Sequence, residues 1–354
     1  MLFDDLLDQP TVPWMSGRGE DGDIALSSRI RLARNLSGIP FPNRAADSQM
    51  AEVIGQLKGA VNGLREDDEY KYMFIEMDKL APLDRNVLVE KHIVSPNHVQ
   101  NPNNRALIIR DDAAVSIMIN EEDHLRIQCM MPGLNLTDAL DLANKVDDAI
   151  EENQDIAFDE QVGYLTACPT NLGTGLRASV MVHLPALVVT RKINRIINAF
   201  TQLGLAIRGL YGEGTEAFGN IFQISNQLTL GYTEQGIIDN LSSVVKQVVE
   251  NERIARGMLL DQSGDALADR VWRAYGTLRY ARTMSGEEAF SLLSEVRLGI
   301  DLDIIDEVPS HVFNELLVTT RPNFLQKLAV KMGLKEADRN QLRAQVIRDT
   351  MLRI

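Results

Sequence analysis

Several features that would mark other protein classes are scarce in this chain. Only two of its 354 residues are cysteine. That is too few for a disulfide framework, so a reducing, cytoplasmic setting is expected. Positive charge is in deficit: 36 lysines and arginines face 50 aspartates and glutamates, for a formal net charge of −14. A broad nucleic-acid footprint needs a basic face, so direct nucleic-acid binding is not expected, although a local anion site remains open. No apolar run approaches the roughly 18 residues needed to cross a bilayer, so no membrane span is expected. The leading stretch "MLFDDLLDQPTVPWMSGRGE" is acidic and lacks the basic and apolar regions of a secretory signal. The chain has no G-x-x-x-x-G-K-[ST] segment, which excludes the usual phosphate-binding loop. It also shows no internal repeat and no low-complexity linker.

The remaining composition is that of an ordinary globular protein, with 24% charged and 45% apolar residues, and a length that accommodates two domains. An amphipathic helix is read over 45–66, and strands over 70–77, 105–111, 114–120 and 124–131. A helix over 136–154, with Thr137 as a candidate cap, leads to strands over 156–165, 178–185, 204–210 and 219–225, interrupted by a helix at 191–203. Connections such as "INEEDH" are too short for parallel crossovers, so the sheet should be mostly antiparallel and the fold α+β. From Thr233, a candidate cap, the pattern turns wholly helical: a long first helix, then 263–282, 285–298, 309–318, 321–332 and 336–351. A boundary near Gly257 is expected, dividing residues 1–257 from an all-α unit of 258–354.

Most of the basic residues are arginine, the side chain suited to a two-pronged grip on phosphate or carboxylate. Five arginine-bearing segments stand out. In "SSRIRLAR", Arg29 and Arg31 would share one face if the segment is extended. In "NEEDHLRIQ", Glu122, His124 and Arg126 have the same spacing of two. Arg177 follows the turn in "ACPTNLGTGLRASVMVHLP", which begins beside the lone thiol Cys168. Arg208 and Glu213 lie in the Gly-rich "IRGLYGEGTE". Arg339 and Arg343, in "RNQLRAQVIRD", lie four apart on one helical face. Each segment alone has a plain structural explanation: a solvated strand, an acidic turn, a glycine turn or a buried small thiol. Together they describe a phosphoryl-transfer site, in which a cluster of arginines holds a triphosphate where other enzymes use a glycine loop and a lysine. Glu122 and Glu213 would then be available to hold a cation, and their fork geometry suits a guanidinium. Cys129, His124 and His183 are read as structural.

The segments "SSRIRLAR", "NEEDHLR", "CPTNLGTGLRASV" and "RGLYGEGTE", in this order along the chain between about residues 24 and 255, resemble the signatures of the phosphagen (guanidino) kinases. The resemblance implies ATP with Mg²⁺ as the phosphoryl donor. It implies nucleotide contacts at Ser27, Ser28, Arg29, Ile30 and Arg31, at His92 beside the adenine, and at Arg126. Further contacts would come from Arg177, Ala178, Ser179, Val180 and Met181, and from Arg208, Gly209, Leu210, Tyr211, Gly212 and Glu213. Glu122 would be the catalytic carboxylate, Glu213 its partner on the guanidinium, and Cys168 the thiol beside the reacting nitrogen; no protein-held metal site is implied.

The departures point to one branch. Only a short lead precedes Ser27, where small-substrate members carry a helical domain that covers the substrate. Met118 and Met181 stand where those members have tryptophan and histidine. The helical tail is an addition. Such an open site resembles that of the protein arginine kinases, whose substrate is an arginine on a large protein. The branch implies CtsR-type repressors and unfolded proteins as substrates, an McsA-type activator, a Clp ATPase downstream and a homodimer. It also implies an allosteric phosphoarginine site at Arg339, Asn340 and Arg343, with Asn340 standing where the branch has aspartate. A kinase of a free guanidino compound, or a non-catalytic adaptor on the same fold, are the alternative readings.

Overall fold

The computed structural model describes residues 3–66, 70–202, 204–211, 217–329 and 333–352. The chain begins with a short helix α1 (Phe3–Asp8) and a 3-10 turn at Pro13–Ser16, then forms strand β1 (Ala25–Arg34). Next come α2 (Asp47–Glu66), β2 (Tyr72–Glu76), α3 (Pro82–Glu90) and α4 (Pro96–Gln100). Strands β3 (Ala106–Arg110), β4 (Val115–Ile119) and β5 (Leu125–Pro132) run on to α5 (Leu136–Glu151). A small hairpin, β6 (Phe158–Asp159) with β7 (Gly163–Tyr164), precedes β8 (Leu176–His183), α6 (Pro185–Val189) and α7 (Ile193–Thr201). Strands β9 (Leu205–Tyr211) and β10 (Ala217–Asn226) complete the sheet. The rest is helical: α8 (Glu234–Tyr280), α9 (Gly286–Asp301), α10 (His311–Thr319), α11 (Pro322–Leu328) and α12 (Glu336–Leu352).

Eight strands form one sheet in the order β2-β3-β4-β5-β1-β8-β10-β9, with every pairing antiparallel. Strand β1 is central. It pairs with β5 on one side and β8 on the other, which places Leu32 opposite Ile127 and Leu176, and Ile30 opposite Cys129 and Ala178. These residues lie in one apolar cluster with Leu57 of α2, Leu140 of α5 and Val245 of α8. The opposite face contributes Met118, Met130, Met181 and Ile221 to a second cluster with Trp14, Leu293 of α9 and Phe324 of α11. Strand alternation thus feeds two cores, and helices cover both faces of the sheet. Among the described residues no helix is long and apolar enough to cross a membrane.

Several local expectations needed revision. Thr233 does cap α8, its hydroxyl accepting from Gly236 N at 3.1 Å. Thr137, however, lies inside α5, and Asn135 occupies the cap position. The expected strand over 156–165 is only the two-residue arms of the β6–β7 hairpin. The tail's first two helices are one 47-residue helix, interrupted at Ser263, whose φ of −147° and ψ of 29° break the helical path. Helices α3, α4 and α6 each begin with a proline at the first or second position and gave too short a periodic signal to be read in advance.

The tail packs tightly on the rest. Arg297 of α9, 1% exposed, pairs with Asp301 at 2.8 Å and donates to the carbonyls of Ser310 and Gly22 at 3.1 and 3.0 Å. On the same helix, a methyl group at Gly299 would collide with Val271 Cγ1 of α8. Gly299→Ala is therefore expected to lower stability by about 1–3 kcal/mol through overpacking. Denaturant unfolding would show this, and an unchanged midpoint would contradict the close approach of α8 and α9.

Candidate active site

The antiparallel register builds the site. Because β1 pairs Arg31 with Arg177 on β8 and Arg29 with Ser179, all four project from the same face of the sheet. On the other side Ala33 pairs with Arg126 and Arg31 with Gln128. Beyond β8, Gln223 of β10 pairs with Arg208 of β9. Four strands therefore carry five arginines to one surface, where a cavity of about 610 Å³ opens. Its lining includes Arg29, Arg31, Arg126, Arg177, Arg208 and Gly209, together with His92, Glu122 and Cys168.

The guanidinium groups are close enough to repel. Burial pushes the Arg31 pKa well below its ordinary value, and Arg29, Arg126 and Arg177 push it further. Arg177 is likewise lowered by burial, then by Arg208 and Arg126. Arg29 is steadied by Ser179 Oγ at 3.3 Å and Gln223 Oε1 at 2.8 Å. Arg31 Nε is buried with no hydrogen-bond partner among the described residues. An unsatisfied buried donor inside a cationic cluster is the mark of a site shaped for an anion.

The acidic turn before β5 gives its three carboxylates different duties. Glu121, 6% exposed, accepts from Arg126 Nη1 at 2.7 Å and from Ser95 Oγ at 2.6 Å. Burial works against its charge, but Arg126 and the Ser95 hydroxyl outweigh it and hold the pKa down to about 2. Asp123, 3% exposed, accepts from Asn35 Nδ2 at 2.7 Å and from the backbone N–H of Ala167 at 2.6 Å. It thereby ties the turn to the residue next to Cys168. Glu122 lines the cavity mouth and is exposed. Its pKa is raised by packing around the carboxyl and then by Asp123 and Glu121, against the pull of Arg126 and Arg177.

The thiol and the glycine turn come next. Cys168 Sγ lies 3.0 Å from Thr170 Oγ1 and lines the cavity together with Arg177. The turn that follows presses against β1 and the 229–230 segment. A Cβ on Gly175, whose φ is +65°, would lie 2.7 Å from the Ala33 carbonyl oxygen. One on Gly173, at φ +106°, would lie 2.9 Å from Leu230 Cα. Only glycine fits both the conformation and the space. At the other end of the cavity, His92 has φ +60°. Trp14 meets its ring edge-on at 5.4 Å, and its carbonyl accepts from Gln128 Nε2 at 2.9 Å. Burial, then Arg29 and Arg321, push the imidazole down to about 3, so it is neutral at physiological pH.

Other expected contacts fall elsewhere. Ile30, Ala178 and Val180 point into the first core, on the face opposite the arginines. Ser28 is turned away too, its hydroxyl donating to Gly133 O at 2.9 Å. Ser27 and Met181 have the arginines' parity but are buried, and they and Ser179 are not among the cavity's lining residues. His124 does not share a face with Glu122 and Arg126, because β5 starts only at Leu125. Its Nδ1 accepts from Leu36 N at 3.1 Å and its Nε2 bonds the Pro40 carbonyl, away from the cavity. Cys129 is fully buried with its thiol pushed up to about 12, and His183 bonds Ser294 Oγ at 2.8 Å. Leu210 and Tyr211 end β9. Gly212 and Glu213 lie outside the described residues.

The tail residues also stand apart from the five strand arginines. Arg343, 4% exposed, donates to Thr320 O and Met284 O, each at 2.9 Å, and to Asn340 Oδ1 at 2.6 Å. Arg339 reaches Leu334 O at 3.1 Å. Glu121, Asp123 and Asn35 were not singled out from sequence. The acidic run was the available signal, but which carboxylate faces which partner depends on the turn.

The chain resembles known proteins along most of its length. Residues 52–255 match the family model of the ATP:guanido phosphotransferase C-terminal catalytic domain. Residues 264–354 match that of the protein-arginine kinase McsB C-terminal domain. A protein-arginine kinase of Brevibacillus brevis is 49% identical over 345 residues, covering 98% of this chain and 96% of that protein. One from Bacillus subtilis is 50% identical over 338 residues, covering 96% and 93%. A crystal structure of lombricine kinase superposes with a TM-score of 0.60 at 27% identity, over 73% of this chain and 75% of that one.

If the cavity is an anion site, inorganic tripolyphosphate should bind it, and more weakly as salt rises. Arg177→Ala should reduce that affinity tenfold or more, as expected for losing a charge-assisted hydrogen bond. Titration calorimetry checks this; equal affinity in variant and parent would remove Arg177 from the site.

Proposed function

Because the chain belongs to the ATP:guanido phosphotransferase family, and within it to the protein-arginine kinases, we propose that it transfers the γ-phosphoryl group of ATP to an arginine side chain of another protein. The observation that carries this is the shared cavity: five strand arginines, a neutral histidine, an exposed carboxylate and a thiol on one sheet face. The arginines would hold the phosphates, with Arg126, Arg177 and Arg208 toward Glu122 and Cys168, and His92 beside the adenine. A guanidinium nitrogen attacks the γ-phosphorus. As the N–P bond forms, the bond to the bridging oxygen breaks and ADP leaves with the electron pair. The nitrogen's proton passes to the Glu122 carboxylate.

A guanidinium has a pKa of about 13, far above any glutamate, so the proton leaves late in this step. The raised pKa of Glu122 makes it a better late acceptor than an ordinary glutamate. The larger contribution is alignment of nitrogen and phosphorus, with the arginines absorbing charge in a loose transition state. Glu213 is assigned as the second carboxylate on the guanidinium, and Cys168 as a neighbour of the reacting nitrogen. Among the described residues no cluster of carboxylates, histidines or cysteines could hold a metal ion. Mg²⁺ would therefore be carried by the nucleotide's own oxygens and water, and no step above is assigned to it.

The wider setting is part of the same proposal and rests on the family. It includes CtsR-type repressors and unfolded proteins as substrates, an McsA-type activator, marking for a Clp ATPase, a homodimer and a cytoplasmic location. Phosphoarginine binding at Arg339, Asn340 and Arg343 rests on the family too; the division near residue 257 rests on the sequence pattern, and Gly257 lies inside α8, six residues before its break at Ser263.

The test is to incubate the protein with Mg²⁺, γ-labelled ATP and either an arginine-rich protein or free arginine. Acid-labile label on the protein is expected; label on free arginine alone, or on neither, would refute the proposal. Glu122→Gln should slow transfer by about 10²–10⁴-fold while ATP affinity changes little. Lost nucleotide affinity with transfer retained would contradict its role.

A further inference from the structure

One wall of the cavity comes from outside both the sheet and the helices next to it. Arg321, the residue before α11, belongs to the helical tail, yet its side chain lines the cavity together with His92, Arg29 and Glu90. Its backbone is fixed from several directions. Upstream, the carbonyl of Thr320 accepts from Arg343 Nε at 2.9 Å, and Thr320 is 1% exposed. Downstream, the Glu90 carboxylate accepts from Asn323 N at 3.0 Å, Asn323 Nδ2 at 2.8 Å and Phe324 N at 2.8 Å. Glu90 thus closes the first turn of α11 while itself facing the cavity. Phe324 is 2% exposed, with the Lys91 ammonium 5.3 Å from its ring centre. Arg321 is extended, with φ −72° and ψ 150°, as the following Pro322 favours. Its guanidinium lies 5.6 Å from the ring of Phe290.

The position along the cavity follows from the neighbours. Arg29 and Arg321 are the two charges that act on His92. Arg208, Arg126, Cys168 and Glu122 are those that act on Arg177. The cavity therefore has a thiol-and-carboxylate end, where transfer would occur, and a histidine end with a different set of charged neighbours. On that reading a triphosphate with its γ-phosphoryl group at the first end would extend its α-phosphate and nucleoside toward the second.

We propose that Arg321 is a further nucleotide-binding residue, contributed by the C-terminal helical region, which grips the adenosine 5′-monophosphate part of ATP. This rests on the reading of the cavity as an ATP site. It makes the tail a direct part of the nucleotide pocket. The segment that carries Arg321 is anchored on one side by the cavity residue Glu90 and on the other by the tail residue Arg343, so movement of either would reposition the guanidinium.

The test is calorimetric titration of ATP, ADP, AMP and tripolyphosphate into the full chain and into Arg321→Met and Arg321→Lys. For Arg321→Met, affinity for all three nucleotides should fall by a similar factor, about tenfold or more, with tripolyphosphate unaffected. Arg321→Lys should recover part of the loss, and KM for ATP should rise more than kcat falls. Wild-type AMP and ADP affinity in a folded Arg321→Met, or a loss shared by tripolyphosphate, would overturn the assignment. Should Arg321→Met fail to fold, Arg321→Lys decides: undiminished AMP affinity refutes any need for the guanidinium fork. A parent protein that binds no ATP would overturn the nucleotide reading itself, a separate result.

Discussion

Repulsion among arginines is the constraint around which this protein is organised. Arg29, Arg31, Arg126 and Arg177 sit on three adjacent strands with side chains on one face. Like charges about 4 Å apart oppose each other by roughly 4 kcal/mol at the effective dielectric of a protein surface. The sheet supplies the force that holds them there. Ile30, Leu32, Leu176, Ala178, Ile127 and Cys129 alternate with the arginines, and all are fully buried on the other face. Slipping any strand by one residue would bury arginines in that core and expose the aliphatics, at a cost of about 1.5–3 kcal/mol for each large side chain displaced. The register that stabilises the core is the same register that gathers the cations. An anion entering the cavity relieves a strain that folding has already imposed, without further reorganisation of the sheet.

The second face shows how the tail became part of this arrangement. Trp14, Met118 and Met181 pack in one cluster with residues of α9, α10, α11 and α12. Polar anchors follow the same route. Arg297 reaches Gly22 O just before β1. Lys91 donates to the carbonyls of Leu6, Leu7 and Gln9 at the end of α1, and Glu90 receives the start of α11. Lys91, fully buried, with its pKa lowered to about 8 chiefly by that burial, ties the N-terminal lead to the backbone next to His92. The chain before β1 and the chain after β10 thus meet at the histidine end of the cavity. The other end is formed by the acidic turn and the loop around Cys168.

Much of this was legible in the sequence, and the exceptions have physical causes. Strands β3 to β5 and helices α2 and α5 are legible through period and composition, because each buries a whole face, and β2 and α12 are legible from composition. Arg29 and Arg31 could be placed only conditionally, since β1 carries buried serines and half-buried arginines among its aliphatics and does not read as a plain strand. The spacing of two that groups His124 with Glu122 and Arg126 holds only inside a strand, and the strand starts one residue later. Thr137 looked like a cap because it precedes an apolar period, but the preceding leucine already belongs to the helix. Arg321 gave no signal at all. Its meaning lies in where Glu90 and Arg343 hold it, and those partners are 231 and 22 residues away in sequence.

The acidic turn shows why such a site needs more carboxylates than the chemistry uses. Left alone, the exposed acid at the mouth of a cationic cavity would collapse onto the nearest arginine and become useless as a proton acceptor. Glu121 prevents this by occupying Arg126 itself, with Ser95 on its other oxygen. Asp123 is committed to Asn35 and the Ala167 amide. Two neighbouring glutamates then move in opposite directions: Glu121 is held down near 2 as a fixed charge, while Glu122 is raised. Pairs of acids driven apart by their surroundings are how one site separates a structural charge from a working one. In this turn the separation is made by adjacent residues, so under the proposed function the side chain that holds Arg126 would also keep its neighbour available for a guanidinium.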